Sequence, residues 1–113
     1  VIIVTNLGCK TGAIRKTPLM RVSDGNCYIL IASQGGAPKH PQWYHNLKAT
    51  PEVEIRDRAK VYSMGVREIA EGNERTRLWK IAVEAYPPYE EYQQKTKRMI
   101  PVFLAEPKVS HTS

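Results

Sequence analysis

The chain is short of several things at once, and each shortage removes a class of protein. It has two cysteines and one phenylalanine among 113 residues. Cys9 and Cys27 lie far apart, in no CxxC pattern and beside no paired histidines, which argues against a structural zinc site. Nothing argues for a disulfide between them. They read as reduced thiols of a cytoplasmic protein, with Cys27 as small core packing at the head of an apolar strand. No apolar run approaches the roughly 18 residues of a membrane-spanning helix. Internal repeats and low-complexity tracts are missing too. A P-loop is absent, because in GCKTG (Gly8–Gly12) Lys10 precedes the second glycine instead of following it. No Ser-His-Asp order, paired-carboxylate motif or metal-ligand cluster stands out, so no metal is expected. His40 and His45 sit in or beside a loop and His111 in the tail, none with an acidic partner at a telling spacing. If the protein is an enzyme, the hard chemistry belongs to a cofactor.

Acidic residues are also scarce where it matters. The whole chain carries +6, yet from Val1 to Pro51 six cations (Lys10, Arg15, Lys16, Arg21, Lys39, Lys48) face a single anion, Asp24. The first half therefore projects a positive field suited to a polyanionic ligand, a nucleic acid or an acidic membrane surface, or to solubility alone. No nucleic-acid reader motif accompanies it, so no nucleic-acid partner is expected. With 42% hydrophobic and 25% charged residues the composition is that of an ordinary globular protein, and the length fits one domain with one modest core. The chain opens inside an apolar run without a methionine. The expectation is that an N-terminal segment has been removed, and that segment is the candidate for a peripheral contact with the inner face of a membrane.

What is present is mostly strand. VIIVTN and NCYILIAS are short, β-branched runs bounded by Gly, Asn and Asp, as in buried strands. RKTPLMRVSDGN between them ends in Asp-Gly, a hairpin signal, so the first third reads as a three-stranded antiparallel meander turning at GCKTG and DGN. SQGGAPKHP is loop, and QWYHNLKA is a short helix with Pro41 in its first turn, stopped before Pro51. Within it Trp43 and Leu47 pack inward while His45 and Asn46 face elsewhere. PEVEIRDRAKVYSMGVREI is a second hairpin, with Arg56, Arg58 and Lys60 toward solvent. Asn73 caps a helix, ERTRLWKIAVEAY, whose Leu78, Ile81, Ala82 and Ala85 form one face. Arg75, Arg77, Lys80 and Glu84 remain for water. PPYEEYQQKTKR adds a further helical turn or two, and IPVFLAEP closes as an apolar strand. The fold class is α+β: a single domain over residues 1–113, an antiparallel sheet small enough to curl into a barrel, with short helices packed outside it.

Three stretches carry candidate chemistry. GCKTG is a glycine-flanked turn whose free amides, with Lys10 and Arg15, could cradle a phosphate without Mg²⁺. SQGG follows a strand directly, where glycines let a flat ligand approach the backbone. Tyr86, Tyr89 and Tyr92 recur every three residues, an arrangement that can line a polar-edged aromatic pocket and donate a proton, or stack rings on the barrel.

Taken together, TNLGCKTGAIRKTPL, ILIASQGGAPKHPQWYHNLKATPEVEI and AYPPYEEYQQKTKRMIPVFLAEP resemble the deazaflavin-dependent nitroreductase family of actinobacteria. The shared motifs are a G-x-K-S/T-G-x-x-R turn, an S-x-G-G loop, a P-x-W-Y-x-N-L helix and a Y-P-x-Y-x-x-Y segment, spread over nearly the whole chain. The resemblance implies a split β-barrel of the FMN-binding type using coenzyme F420, an anionic deazaflavin with a phosphate and a poly-glutamate tail, in preference to FMN. By that resemblance Lys10, Thr11, Arg15 and Lys16 hold the phosphate and tail, and Pro18, Leu19 and Met20 run beside the cofactor. Ala32, Ser33 and Gln34, with Trp43, Tyr44 and Asn46, wall its ring system. Met20, Tyr86, Tyr89 and Tyr92 shape the substrate side, and Tyr89, Tyr86 and Ser33 are the candidate catalytic residues.

The activity so implied is hydride transfer from reduced coenzyme F420 to a quinone, a nitroaromatic or another electron-poor conjugated acceptor, by a cytoplasmic monomer or homodimer. The alternative is a non-catalytic carrier of the deazaflavin or of another flat ligand such as FMN or haem. Three departures from the family pattern matter. Cys9 stands where arginine is common, Gln34 where lysine is common and Met20 where an aromatic is common. The first two each remove a charge-assisted contact of about 1.5–3 kcal/mol, so a weaker grip on the cofactor is expected. Met20 alters the pocket wall and bears on nitroimidazole reduction.

Overall fold

The computed structural model describes residues 1–108; His111 lies outside the described residues. Seven strands form one antiparallel sheet: β1 (Ile2–Leu7), β2 (Ile14–Leu19), β3 (Ser23–Asp24), β4 (Cys27–Ile31), β5 (Glu52–Asp57), β6 (Lys60–Glu68) and β7 (Val102–Pro107). Helix α1 (Gln42–Ala49) precedes β5, and α2 (Asn73–Ala85) and α3 (Pro88–Lys95) lie between β6 and β7. The order across the sheet is β2-β1-β5-β6-β7-β4-β3. Laid flat, seven strands would set β2 and β3 about 29 Å apart. Only the stretch from Leu19 to Ser23 joins them, a span of at most about 14 Å. The sheet must therefore curl until its edges approach, which produces the split barrel.

The three-stranded meander expected in the first third does not form. β1 pairs with β2 from Ile2↔Leu19 to Leu7↔Ile14, but β3 and β4 pair with each other at the far edge of the sheet. β2 is an open edge, and it carries Arg15, Lys16 and Pro18, residues that discourage further pairing. The free edges of β1 and β4 are taken by β5 and β7, arriving from much later in the chain.

Of the apolar runs, β4 and β7 are buried on both faces, whereas β1 buries Ile2, Val4 and Asn6 and leaves Ile3 and Thr5 half-buried. Tyr28 and Leu30 of β4, with Phe103 and Ala105 of β7, join the core inside the curl, where α1 inserts Trp43 and Leu47. Ile29, Ile31, Val102 and Leu104 point the other way and are covered by Leu78 and Ala82 of α2 and Tyr89 of α3. Ala85, expected on that face, is exposed. Asn73 does not cap α2; Gly72 does, its carbonyl accepting both the amide and the hydroxyl of Thr76. Pro41 likewise caps α1 from outside its first turn. Arg75, assigned to water, instead donates to the Ile100 carbonyl, anchoring α2 to the entry of β7. No helix among the described residues is long and apolar enough to cross a membrane.

Candidate functional site

Three adjoining hollows make one groove along β2 and α1. The first, about 310 Å³, is lined by Gly8 to Thr11, Arg15, Gln42 and Asn46. The second, about 460 Å³, shares Arg15, Gln42 and Asn46 and adds Ile14, Lys16, Thr17 and Trp43. The third, about 410 Å³, shares Thr17 and Trp43 and adds Val1, Pro18, Leu19, Met20, Ile31, Ser33, Gln34, Pro41 and the three tyrosines. A larger hollow of about 820 Å³ opens at the DGN and DRAK turns, beside Arg21, Arg58 and Tyr62. It gathers none of the motif residues, and most of its wall is exposed side chain, so it is not the site.

At the first end the β1–β2 connection is held by a buried polar cluster. Asn46, expected to face away from the core, is 2% exposed. Its Oδ1 accepts the Cys9 amide at 2.9 Å and Gln42 Nε2 at 3.3 Å, and its Nδ2 donates to Asn6 Oδ1 at 2.8 Å. Asn6, also buried, donates in turn toward the Val4 and Arg15 carbonyls and Thr17 Oγ1. Burial of two amides is tolerable because each is paired. Placed three residues after Trp43, Asn46 lies on the inward face of α1, a position its polarity disguised.

The turn is less open than GCKTG suggested. The amide of Gly8 donates to Ala13 O, that of Gly12 to Gly8 O and that of Ala13 to Thr11 Oγ1. With Cys9 spent on Asn46, only the Lys10 and Thr11 amides stay without a partner among the described residues. The cations have more freedom. Lys10, Arg15 and Lys16 are exposed and form no ion pair among the described residues, whereas Lys48, Arg21, Arg67 and Arg77 each meet a carboxylate. Positive charge left uncompensated in a concave place is available to an anion. Cys9 faces this hollow as a free thiol near Gln42 Nε2 and contributes no charge.

The other end is apolar and aromatic, without a charged side chain in its wall. Tyr89 packs edge to face with both Tyr86 and Tyr92, which are tilted to each other, with centroids 4.9 to 6.3 Å apart, and the Tyr86 and Tyr92 hydroxyls are 3.2 Å apart. The Tyr89 ring is buried, and burial, with smaller contributions from its two neighbours, pushes its pKa up to about 12. It is held as a neutral phenol, able to donate a proton and unable to act as a base near neutrality. Tyr86 is likewise raised, chiefly by its hydrogen bond with Tyr92. Two expected wall residues are elsewhere: Ala32 is fully buried, and Tyr44 stacks on His40 at 4.2 Å and on Phe103.

The S-x-G-G loop forms a single tight turn whose Gln34, Gly35 and Gly36 have φ of 45°, 63° and 82°. The close approach that Gly36 allows is made by α3, since a Cβ there would lie 2.7 Å from the Tyr92 carbonyl oxygen, whereas nothing lies within 4 Å of a Cβ on Gly35. Arg98, which the sequence hid in the solvated run KTKR, reaches back across this loop. It donates to Ser33 O at 2.7 Å, Ala37 O at 2.8 Å and Ala32 O at 3.2 Å.

The curled antiparallel half-barrel thus carries a groove that is cationic at one end and aromatic at the other. The chain belongs to the F420H(2)-dependent quinone reductase family, whose model matches residues 1–107. It is 40% identical over 99 residues to the F420H(2)-dependent quinone reductase Rv1261c of Mycobacterium tuberculosis, covering 86% of this chain; it spans 66% of that relative's length. Among solved structures it resembles an F420-H2 dependent reductase, FDR-A, with TM-score 0.87 and 53% identity over 93% of this chain and 92% of that one. A second solved chain, described as a domain-swapped dimer, matches with the same TM-score and identity over 93% of this chain and 78% of its own.

Proposed function

We propose that this protein transfers a hydride from reduced coenzyme F420 to a quinone, with nitroaromatics as a second acceptor class. The observation that carries this reading is the division of charge along one groove. Three cations that form no ion pair among the described residues lie at the turn end, and an aromatic cavity without a charged side chain in its wall lies at the other. That division matches a cofactor whose phosphate and glutamates are anionic and whose ring is flat. Lys10, Thr11, Arg15 and Lys16 hold the anionic part, with the Lys10 and Thr11 amides as added donors. Pro18, Leu19, Ser33, Gln34 and Trp43 border the ring, and Asn46 acts behind them by fixing the turn. When bound, reduced coenzyme F420 supplies the hydride.

The protein's own contribution is alignment, exclusion of water and a proton. Reduction of a quinone to a quinol needs one hydride and one proton, and the proton must reach an acceptor oxygen. Tyr89, Tyr86 and Tyr92, with Met20, border the acceptor. Tyr89 is the donor of choice because it lines the cavity with a hydroxyl that has no partner among the described residues, whereas the Tyr86 and Tyr92 hydroxyls are tied to each other. Ser33 is buried at the rim and can hydrogen-bond the ring or the acceptor. A carrier role has no feature of its own in its favour among the described residues; the same groove would serve a carrier, and turnover separates the two. The free thiols of Cys9 and Cys27 suit a reducing, cytoplasmic setting. A homodimer is part of this reading, prompted by the domain-swapped relative.

The test is spectroscopic. Purified protein mixed with reduced coenzyme F420 and menadione should restore the deazaflavin absorbance at a rate proportional to enzyme. Tight binding without turnover over a panel of quinones and nitroaromatics would replace the reductase by a carrier.

A further inference from the structure

Arg98 is partly buried between α3 and β7, and no carboxylate among the described residues pairs with it. Its guanidinium is used on backbone: Nε on Ala37 O, Nη2 on Ser33 O and Nη1 on Ala32 O. Nη1 also lies 2.9 Å from His40 Nδ1, and a neutral imidazole there accepts the bond. Burial and the Arg98 charge both hold His40 below its ordinary value, in keeping with that role. Four of the five N–H donors of one side chain thus converge on a single loop. That loop needs holding, because Gln34, Gly35 and Gly36 are left-handed in succession, and a non-glycine residue such as Gln34 is strained there.

The other end of Arg98 is tied to α3. Gln93 Nε2 donates to Arg98 O at 2.8 Å, and Gln93 Oε1 accepts the Ile100 amide at 3.0 Å. The same helix carries Tyr89 and Tyr92 and packs its Tyr92 carbonyl on Gly36. Arg98 therefore spans two walls of the aromatic cavity without lining it: Ser33 and Gln34 on one side, the tyrosines on the other. We infer that Arg98 is a positioning residue for hydride transfer, a strut that sets the spacing between the cofactor wall and the acceptor wall. This rests on the coenzyme F420 reading.

A strut at the aromatic end should act on turnover more than on affinity, since the charged anchors of the cofactor lie at the opposite end of the groove. In Arg98→Ala, kcat with reduced coenzyme F420 and menadione should fall about 10- to 100-fold, the scale of an ångström-level misplacement. The dissociation constant for coenzyme F420 should change by less than about threefold, within the scatter of a lost indirect contact. Methylguanidinium added to Arg98→Ala should restore part of the kcat and leave wild type untouched, because only a planar fork reproduces the lost donors. Arg98→Lys, whose ammonium cannot reach all four acceptors, should show the same split, and it carries the test if Arg98→Ala does not fold. An unchanged kcat in either variant, or affinity lost in proportion to kcat, overturns the inference while wild-type turnover preserves the reductase reading. Wild type inactive with reduced coenzyme F420 overturns both.

Discussion

Replacing Gly36 by alanine should be the most damaging single methyl in the molecule, and its cost can be worked from two independent terms. The residue sits at φ 82°, where an L side chain costs about 1–2 kcal/mol. The new Cβ would also lie 2.7 Å from Tyr92 O and 3.1 Å from Tyr92 Cα and Lys95 Cβ. Two of those atoms are helix backbone and cannot swing aside, so overpacking adds about 1–3 kcal/mol. The sum, about 2–5 kcal/mol, is a large part of the 5–15 kcal/mol that a typical domain holds. At about 4 °C per kcal/mol for a chain of this size, the thermal midpoint should drop by about 8–20 °C. Gly35 is the internal control. Its φ is 63°, but nothing lies within 4 Å of its Cβ position, so Gly35→Ala should show only the conformational term, about 4–8 °C. Circular-dichroism melts of the two variants beside wild type decide the matter. Equal losses at the two positions, or a mild Gly36→Ala, would refute the claim that α3 rests on this glycine.

Tyr89→Phe removes the donor hydroxyl while keeping the buried ring, so turnover with menadione should fall by 10-fold or more, on the scale of general-acid catalysis. Coenzyme F420 affinity should stay nearly unchanged; equal loss of both in a titration would make Tyr89 a structural residue. Asn46→Ala strands the buried Asn6 Oδ1, at a cost of about 1–3 kcal/mol, and releases the amide of exposed Cys9 that holds the turn to α1. A destabilised protein with weakened cofactor binding is expected, and unaltered binding would detach the turn from the site. Asp57 accepts from the Tyr28 hydroxyl at 2.6 Å and from Arg21 Nε at 2.8 Å, and both bonds hold its carboxyl below the ordinary value of 3.8. Its contribution to stability is complete above that value and disappears as pH falls through the depressed one. Thermal midpoints should therefore drop less on acidification in Asp57→Asn than in wild type, and parallel pH curves would count against this role.

How far the molecule was legible follows the range of the forces involved. Strands β4 and β7 could be read because burial on both faces leaves uninterrupted apolar runs, YILI and VFLA, in the sequence itself. Their places in the sheet could not, because β4 meets β7 across most of the chain, and no local signal specifies that partner. The cationic turn and the tyrosines were legible as concentrations of one chemistry at short spacing. The polarity of Asn46 points to solvent, whereas its helical spacing aligns it with Trp43 on the buried face of α1. Arg98 lay in a run of polar and charged residues, and only the tertiary fold distinguishes the one guanidinium that turns inward onto carbonyls. The glycines of the S-x-G-G loop announced a close approach, yet the approaching partner, α3, arrives from more than fifty residues further along the chain.

The central claim is the direction of the groove, with the cofactor's anionic part at Lys10 and Arg15 and its ring beside Ser33, Gln34 and Trp43. Binding of intact coenzyme F420 and of the deazaflavin stripped of phosphate and glutamates, each to wild type and to Lys10→Ala/Arg15→Ala, closes a double-mutant cycle between ligand and protein. If the claim is right, stripping the tail weakens binding to wild type by about 10- to 150-fold, the equivalent of about 1.5–3 kcal/mol, and weakens the double variant, which keeps Lys16 and the turn amides, markedly less. If stripping the tail weakens both proteins equally, the cations at the turn do not meet the tail and the direction assigned to the groove is wrong.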